Sequence, residues 1–216
     1  MQLPAEPSDI LKSLPDSEQI RLSQRGRKHA YPKGSTLFRA EERADFVWLV
    51  KEGRVHLTRF TASGKTLTTC VLTRGDLFCC LPTLDRRPYP SDAIAATDSV
   101  AVRIPLDLFA EWMRRYPSFS QKALCYFCDR LRSAEQRGCL LQEPVRRRIL
   151  GVLGMLLKKF GPTIPFTCRE VAEMAGTTIE TAIRTLGQLK KEKLIRASRA
   201  KITIQNSVKL QELQGI

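Results

Sequence analysis

The sequence predicts an α+β chain in three consecutive parts: an antiparallel β-barrel or sandwich, one long helix, and a helix pair followed by a β-hairpin. Three observations predict it. Between residues 31 and 104, short β-type runs are punctuated by turn signals about ten residues apart, the spacing of an antiparallel all-β unit. Ser120, Leu124, Phe127, Leu131, Ala134, Gly138 and Leu141 follow one another in steps of 4, 3, 4, 3, 4 and 3 residues, a heptad seam on one helix. Towards the C-terminus, two helical stretches flank a short turn at Gly176, and two alternating runs follow around a basic turn. That is the pattern of a helix-turn-helix with a wing.

Each element has its own signal. Residues 9–29 read as short helices, one of them opened by Ser17-Glu18-Gln19-Ile20. The β-type runs are 36–39, 46–50, 55–60, 66–72 and 93–104, with turns at Lys33-Gly34, Glu52-Gly53, Ser63-Gly64-Lys65 and Arg74-Gly75-Asp76. Pro105 suits the first turn of a helix that runs on through Leu106-Asp107-Leu108-Phe109. The long helix, about 117–141, carries Cys125, Tyr126 and Cys128 beside its seam. A helix with two apolar faces has one to spare for a second copy of the chain. Pro144 then breaks the pattern as a hinge. A helix over 145–160 begins with Arg146-Arg147-Arg148, is apolar within, and stops at Gly161-Pro162.

The chain has 216 residues and a formal charge of +14, so it calls for a polyanionic partner. Residues 143–216 hold 14 Lys and Arg against 6 Asp and Glu, more than half of that excess. No run of 18 apolar residues occurs, so no membrane-spanning helix is expected. The first nine residues lack a basic flank and an apolar stretch, so a cytoplasmic protein is expected. Seven cysteines in a reducing compartment argue against structural disulfides. No Ser-His-Asp order, phosphate-binding Gly-rich loop or His-Glu-x-x-His motif is present, and there are only two histidines. A non-enzyme is expected.

The basic third carries the chemistry. Thr167 and Glu170 have the spacing of a capping box. Gly176 ends that helix, and Thr178-Ile179-Glu180 opens the next. Residues 194–196 and 201–204 alternate as strands around Ser198-Arg199-Ala200. A helix pair with a basic wing points to double-stranded DNA, with the second helix in the major groove. There Glu180 can accept from cytosine N4, and Arg184, one turn on, can donate to guanine or a phosphate. Ile179 can make only apolar contact, as with a thymine methyl. Lys190, Lys191, Arg196, Arg199 and Lys201 supply attraction independent of sequence.

From about residue 9 to 212 the chain resembles the family of the cyclic AMP receptor protein and the fumarate-nitrate reduction regulator. The resemblance rests on Tyr31-Pro32-Lys33-Gly34, on residues 47–55, on Gly75-Asp76-Leu77-Phe78, and on Glu170, Gly176-Thr177-Thr178-Ile179-Glu180-Thr181 and Arg184. It implies a jelly-roll-like β-roll of the cyclic-nucleotide-binding type (1–116), a dimerisation helix and hinge (117–143), and a winged helix-turn-helix (144–216). It also implies a homodimer on near-palindromic DNA, typically an activator in contact with RNA polymerase, with no membrane partner. Glu180 and Arg184 match base-reading positions. Ile179 stands where the fumarate-nitrate type has Val, which implies a TTGA-like half-site. Ile183 stands where that type has Ser, so the outermost bases differ. Thr167, Cys168, Thr178 and Ser198 match phosphate contacts. Leu124, Phe127, Leu131, Ala134 and Leu141 are the expected dimer contacts.

At the sensor, the resemblance argues against cyclic AMP. Tyr89-Pro90 align with the Arg-Ser pair that would hold the cyclic phosphate, and Pro90 offers neither N–H nor hydroxyl. No cysteine precedes Cys70, so the N-terminal iron–sulfur site of the fumarate-nitrate regulator is not expected. Phe78-Cys79-Cys80-Leu81 resembles the haem segment of the family's carbon monoxide sensor, with Leu81 in place of its histidine. Three readings of the sensor stay open: haem on Cys79, a redox-active thiol, and an uncoloured small effector. Cys125 and Cys128 read as helix-packing residues. Ser133 and Ala134 match helix positions that touch effectors, and Arg130 with Arg137 would suit an anion.

Overall fold

A computed structural model describes residues 10–62 and 64–214. The N-terminal nine residues, on which the leader argument rests, and Ser63 of the third predicted turn lie outside the described residues. The chain divides into two compact units. One comprises the chain up to Arg59 with Thr69–Arg132, and the other Phe60–Thr68 with the chain from Ser133.

The first unit is layered. Its elements are α1 (Asp16–Arg25), β1 (Arg27–Tyr31), β2 (Thr36–Phe38), β3 (Phe46–Glu52), β4 (Arg54–Phe60), β5 (Thr66–Thr73), β6 (Leu77–Phe78), α2 (Pro82–Asp85), β7 (Asp92–Ala95), β8 (Ser99–Pro105), α3 (Leu106–Arg115) and α4 (Pro117–Leu141); Phe60 of β4, Thr66–Thr68 of β5 and α4 from Ser133 belong to the second unit. Two four-stranded sheets form, ordered β1-β8-β3-β6 and β2-β7-β4-β5. Side chains alternate across a strand, and β3 uses both faces. Trp48 and Val50 enter a core with Phe38, Val55, Leu57, Tyr89 and Ala93 between the sheets. Val47 and Leu49 enter a second core with Leu108, Phe109, Trp112, Phe119 and Ala123 on the helix side. A strand buried on both faces reads as a continuous apolar run, which is why 46–50 stood out.

The turn between β3 and β4 depends on Gly53, whose φ is 80°. A Cβ there would collide with the Asp98 carbonyl oxygen and Ser99 Oγ. Helix α1 is held by Glu18, which is buried. Its carboxylate accepts from Trp112 Nε1 at 2.8 Å and the Tyr116 hydroxyl at 3.1 Å. Arg21 also reaches Glu111 through two N–H donors, each at 2.8 Å.

Four features of this unit differ from the expectation. Residues 93–104 form two strands rather than one, because Ala96-Thr97-Asp98 supplies a turn between β7 and β8. Residues 27–29 belong to strand β1 rather than to a helix; β1 pairs antiparallel with β8 from Arg27↔Arg103 to Tyr31↔Ser99, and pairing overrides a locally polar pattern. The helix after Pro105 starts at Leu106, with Pro105 as its N-cap. Strand β6 is too short to show periodicity.

The second unit adds α5 (Val145–Phe160), β9 (Thr163–Ile164), α6 (Cys168–Ala175), α7 (Ile179–Lys191), β10 (Ile195–Ser198), β11 (Lys201–Ile204) and α8 (Ser207–Gln214). Its sheet is ordered β10-β11-β9. Ile149, Leu153, Phe166, Val171, Ala182, Leu186 and Leu189 are buried.

Gly53→Ala should destabilise the first unit by at least about 1–3 kcal/mol, the cost of a strained left-handed residue, read as a lower midpoint of chemical denaturation followed by Trp fluorescence. A pH titration tests the Glu18 anchor. The Trp112 hydrogen bond, more than any other partner, holds this carboxyl below its ordinary value of 4.5. The unfolded chain therefore takes up the proton first as pH falls. The anchor's stabilisation is present above that ordinary value and is lost as pH drops through the folded one. The melting temperature of Glu18→Gln should fall less steeply on acidification than that of the unsubstituted protein.

Candidate nucleic-acid interface

Two capped helices and a turn make the interface. Helix α6 opens with a full capping box: the Glu170 amide donates to Thr167 Oγ1 at 3.2 Å, and the Thr167 amide donates to Glu170 Oε2 at 2.7 Å. The helix closes on Gly176, whose φ of 59° is the left-handed C-cap expected of it. Arg148 Nη1 donates to the Gly176 carbonyl at 3.3 Å. Thr178 then caps α7, accepting from the Thr181 amide at 3.3 Å.

Burial along α7 separates two faces. Ala182, Thr185, Leu186 and Leu189 are buried. Glu180, Ile183, Arg184, Gly187, Gln188 and Lys191 are exposed. They recur at spacings of three and four, so they share one face. Glu180 and Arg184 have no partner among the described residues. Ile183 is 54% exposed, a large apolar side chain left in water beside two ionic ones. Ile179 is half-buried at the start of the helix. Gln188 was missed by the sequence reading, although its step of four from Arg184 was the available signal.

The phosphate candidates divide. Cys168 is half-buried and Ser198 exposed. The Thr167 hydroxyl donates to Glu170 Oε2 at 2.8 Å, and the Thr178 hydroxyl donates to Thr181 Oγ1 at 3.0 Å. Both hydroxyls are engaged in capping, so their contribution to a phosphate would come from the helix N-termini they define. The wing pairs Ile195↔Ile204 through Ser198↔Lys201, leaving Arg196, Arg199 and Lys201 exposed. Lys190 and Lys191 stand exposed in the last turn of α7, where they also suit the helix dipole. Arg146 of the basic cluster is committed elsewhere: it holds Glu192 through two contacts, at 3.0 and 2.7 Å.

The sensor candidates prove unlike one another. Phe78 is buried and stacks with Phe38 and Trp48. Tyr89 is a core residue. Its ring stacks 3.9 Å from that of Phe38, and its hydroxyl accepts from Trp48 Nε1 and donates to the Phe46 carbonyl, each at 3.0 Å. Cys79 has a left-handed backbone, φ 57°. Burial pushes its thiol up, and pushes that of Cys80 up to about 12. That disfavours the thiolate that metal ligation and redox attack both require. Arg130 is half-buried, whereas Ser133 and Ala134 are exposed. Among the described residues no group of three or more His, Cys, Asp or Glu side chains is placed to hold a metal ion. No helix of the described residues is long and apolar enough to cross a membrane.

On the seam, Leu124, Leu131 and Leu141 are exposed at 54%, 62% and 38%. Phe127 is partly packed against its own domain. Ala134 is exposed.

Comparison with known proteins agrees with these two units. Residues 28–116 match the cyclic nucleotide-binding domain, and residues 147–213 match the Crp-like helix-turn-helix domain. The chain is similar to the cyclic AMP receptor protein of Thermus thermophilus, 28% identical over 201 residues, covering 92% of this chain and 93% of that one. It is also similar to the fumarate and nitrate reduction regulatory protein of Vibrio cholerae, 24% identical over 214 residues, covering 94% and 85%. Its fold is shared with FixK2 from Bradyrhizobium japonicum at a TM-score of 0.78 and 20% identity, over 87% of this chain and 96% of that one. A capped helix pair with a basic wing, preceded by a double-layered β-roll and matched by both domain families, places this chain in the CRP/FNR family of DNA-binding transcription regulators.

Proposed function

We propose that the protein is a homodimer that binds near-palindromic DNA, acts on transcription through RNA polymerase in the cytoplasm, and answers to a signal other than cyclic AMP. The exposed face of α7 carries the DNA-reading part. Glu180, Ile183 and Arg184 project from it without partners among the described residues, while the opposite face is buried. Unpaired donors and acceptors on a helix capped by Thr178 suit base edges in the major groove. Ile179 and Ile183 supply apolar contact, and a TTGA-like half-site follows from Ile179.

Dimerisation is supported by Leu124, Leu131 and Leu141. Three large apolar side chains exposed along one face of α4 suit a second copy. Two-fold symmetry would then present two α7 helices about 34 Å apart, one turn of DNA. The case against cyclic AMP rests on Tyr89, which fills the core between the sheets and spends its hydroxyl on Trp48 and Phe46. Pro90 beside it has no N–H to give.

Gel shifts on TTGA-type palindromes and on random duplexes, with salt titration, test the reading. Glu180→Ala and Arg184→Ala should each weaken specific binding by about 1–3 kcal/mol and leave random DNA nearly unaffected. Lys191→Ala should weaken both alike and reduce the salt slope by about one unit. Equal losses on both duplexes for Glu180→Ala would rule out base reading. Leu131→Asp would set two carboxylates in a dry interface, so light scattering should report monomers. An unchanged dimer would move the interface away from this seam.

A further inference from the structure

Three thiols gather around one guanidinium in the first unit. Arg130 on α4 donates one N–H to Cys70 Sγ at 3.1 Å and another to the Tyr126 hydroxyl at 3.3 Å. Its guanidinium carbon lies 5.7 Å from the Tyr126 ring centroid. Tyr126 donates in turn to the Leu77 carbonyl at 2.5 Å. Cys79 and Cys80 both feel the charge of Arg130, and Cys79 also that of Cys70. Arg130 has no carboxylate partner among the described residues. Asp76, which acts on Tyr126, accepts from the Thr73 amide and hydroxyl at 2.7 and 3.1 Å. The group that faces this half-buried cation is therefore a sulfur.

The thiols differ in two ways that matter for reactivity. Burial pushes the Cys79 and Cys80 thiols up, so they are poor nucleophiles at neutral pH. Cys125, Cys128 and Cys139 are exposed, and no guanidinium donates to them among the described residues. Cys70 alone combines partial exposure with a guanidinium N–H on its sulfur. The attacking species is a thiolate, and a charged N–H donor on sulfur is a general means of stabilising one.

We propose that Cys70 is a nucleophile activated by Arg130, and the modification site at which peroxides and soft electrophiles act on this regulator. The inference rests on the DNA-binding reading only for its last step. With a peroxide, the Cys70 sulfur attacks one peroxide oxygen. The O–O bond breaks, an S–O bond forms, the thiol is oxidised by two electrons to the sulfenic acid, and the other oxygen of hydrogen peroxide leaves as hydroxide, which takes up the thiol proton to become water. With an alkylating agent, an S–C bond forms, the leaving group departs with its electron pair, and the thiol proton passes to water. Either product changes the atom that Arg130 holds. The tie between β5 and α4 changes with it, and α4 is the helix that carries the exposed seam.

The test alkylates the full-length protein with limiting iodoacetamide and follows each cysteine by peptide mass spectrometry. Cys70 should react about as fast as exposed Cys125 or faster, and at least about tenfold faster than Cys79 and Cys80. Arg130→Gln should slow Cys70 about tenfold, and Arg130→Lys should restore part of that rate. Continued protection of buried Cys80 and an unchanged circular dichroism spectrum in both variants report an intact fold. Cys70 no faster than Cys80 in the unsubstituted protein, or insensitive to Arg130→Gln in a folded variant, overturns the site. Stoichiometric alkylation of Cys70, or treatment with hydrogen peroxide, should then shift operator affinity by about fivefold or more, with no shift in Cys70→Ser. No shift in the unsubstituted protein overturns the regulatory role. Failure of DNA binding itself would already appear in the untreated protein, so the two readings fail separately.

Discussion

Strand β3 is buried on both faces, and the first unit is organised around that fact. Its pairing with β8 runs from Phe46↔Pro105 through Val47↔Ile104, Trp48↔Arg103 and Leu49↔Val102. Over Val47–Val50, the side chains it sends one way build the inter-sheet core and those it sends the other way build the helix-side core. A strand in this position has no solvent face to tolerate a polar residue or a register slip of one. The neighbouring turn at Gly53 inherits the constraint, since it must return the chain against Asp98 and Ser99 without a Cβ. Helix α4 in turn rests on the layer that β3 supports, through Phe119, Ala123 and Tyr126.

The same packing explains why the thiols of one short segment behave so differently. Phe78 is drawn into the aromatic stack with Trp48 and Phe38, and Cys80 is buried in the opposite core. Cys79 must turn between them, which it does with a left-handed backbone. Residues placed to close a fold in this way have little freedom to serve as ligands. Cys70, on β5, is placed by strand pairing instead. It meets Arg130 because α4 lies over that part of the unit, and the pair becomes a polar contact at the edge of an apolar layer.

In the second unit the caps set the geometry of the interface. Thr167 and Glu170 lock the start of α6, Gly176 ends it, and Thr178 starts α7 two residues later. Buried Val171, Ala175, Ala182 and Leu186 then settle which side of α7 faces water. The exposed face of α7 is what remains once the core has taken its share. The Arg146–Glu192 contact ties the start of α5 to the end of α7. One arginine of the basic cluster is thereby structural, despite its charge.

The sequence by itself determined most of the β-type runs, the long helix, and the helix-turn-helix with Glu180 and Arg184 on its second helix. Those features are local: turn residues, cap residues and periodicity act over a few positions, and their physics is complete within a short segment. The tertiary structure decided whatever depends on partners distant in the chain. Residues 27–31 became a strand because β8 lay beside them, and Tyr89 became a core residue because Trp48 and Phe46 met its hydroxyl. Cys70 gained its significance from an arginine 60 positions away. Nothing in the composition around Cys70 marks it, since a guanidinium donor changes a sulfur's chemistry only at hydrogen-bond distance, and that distance is set by how β5 and α4 pack.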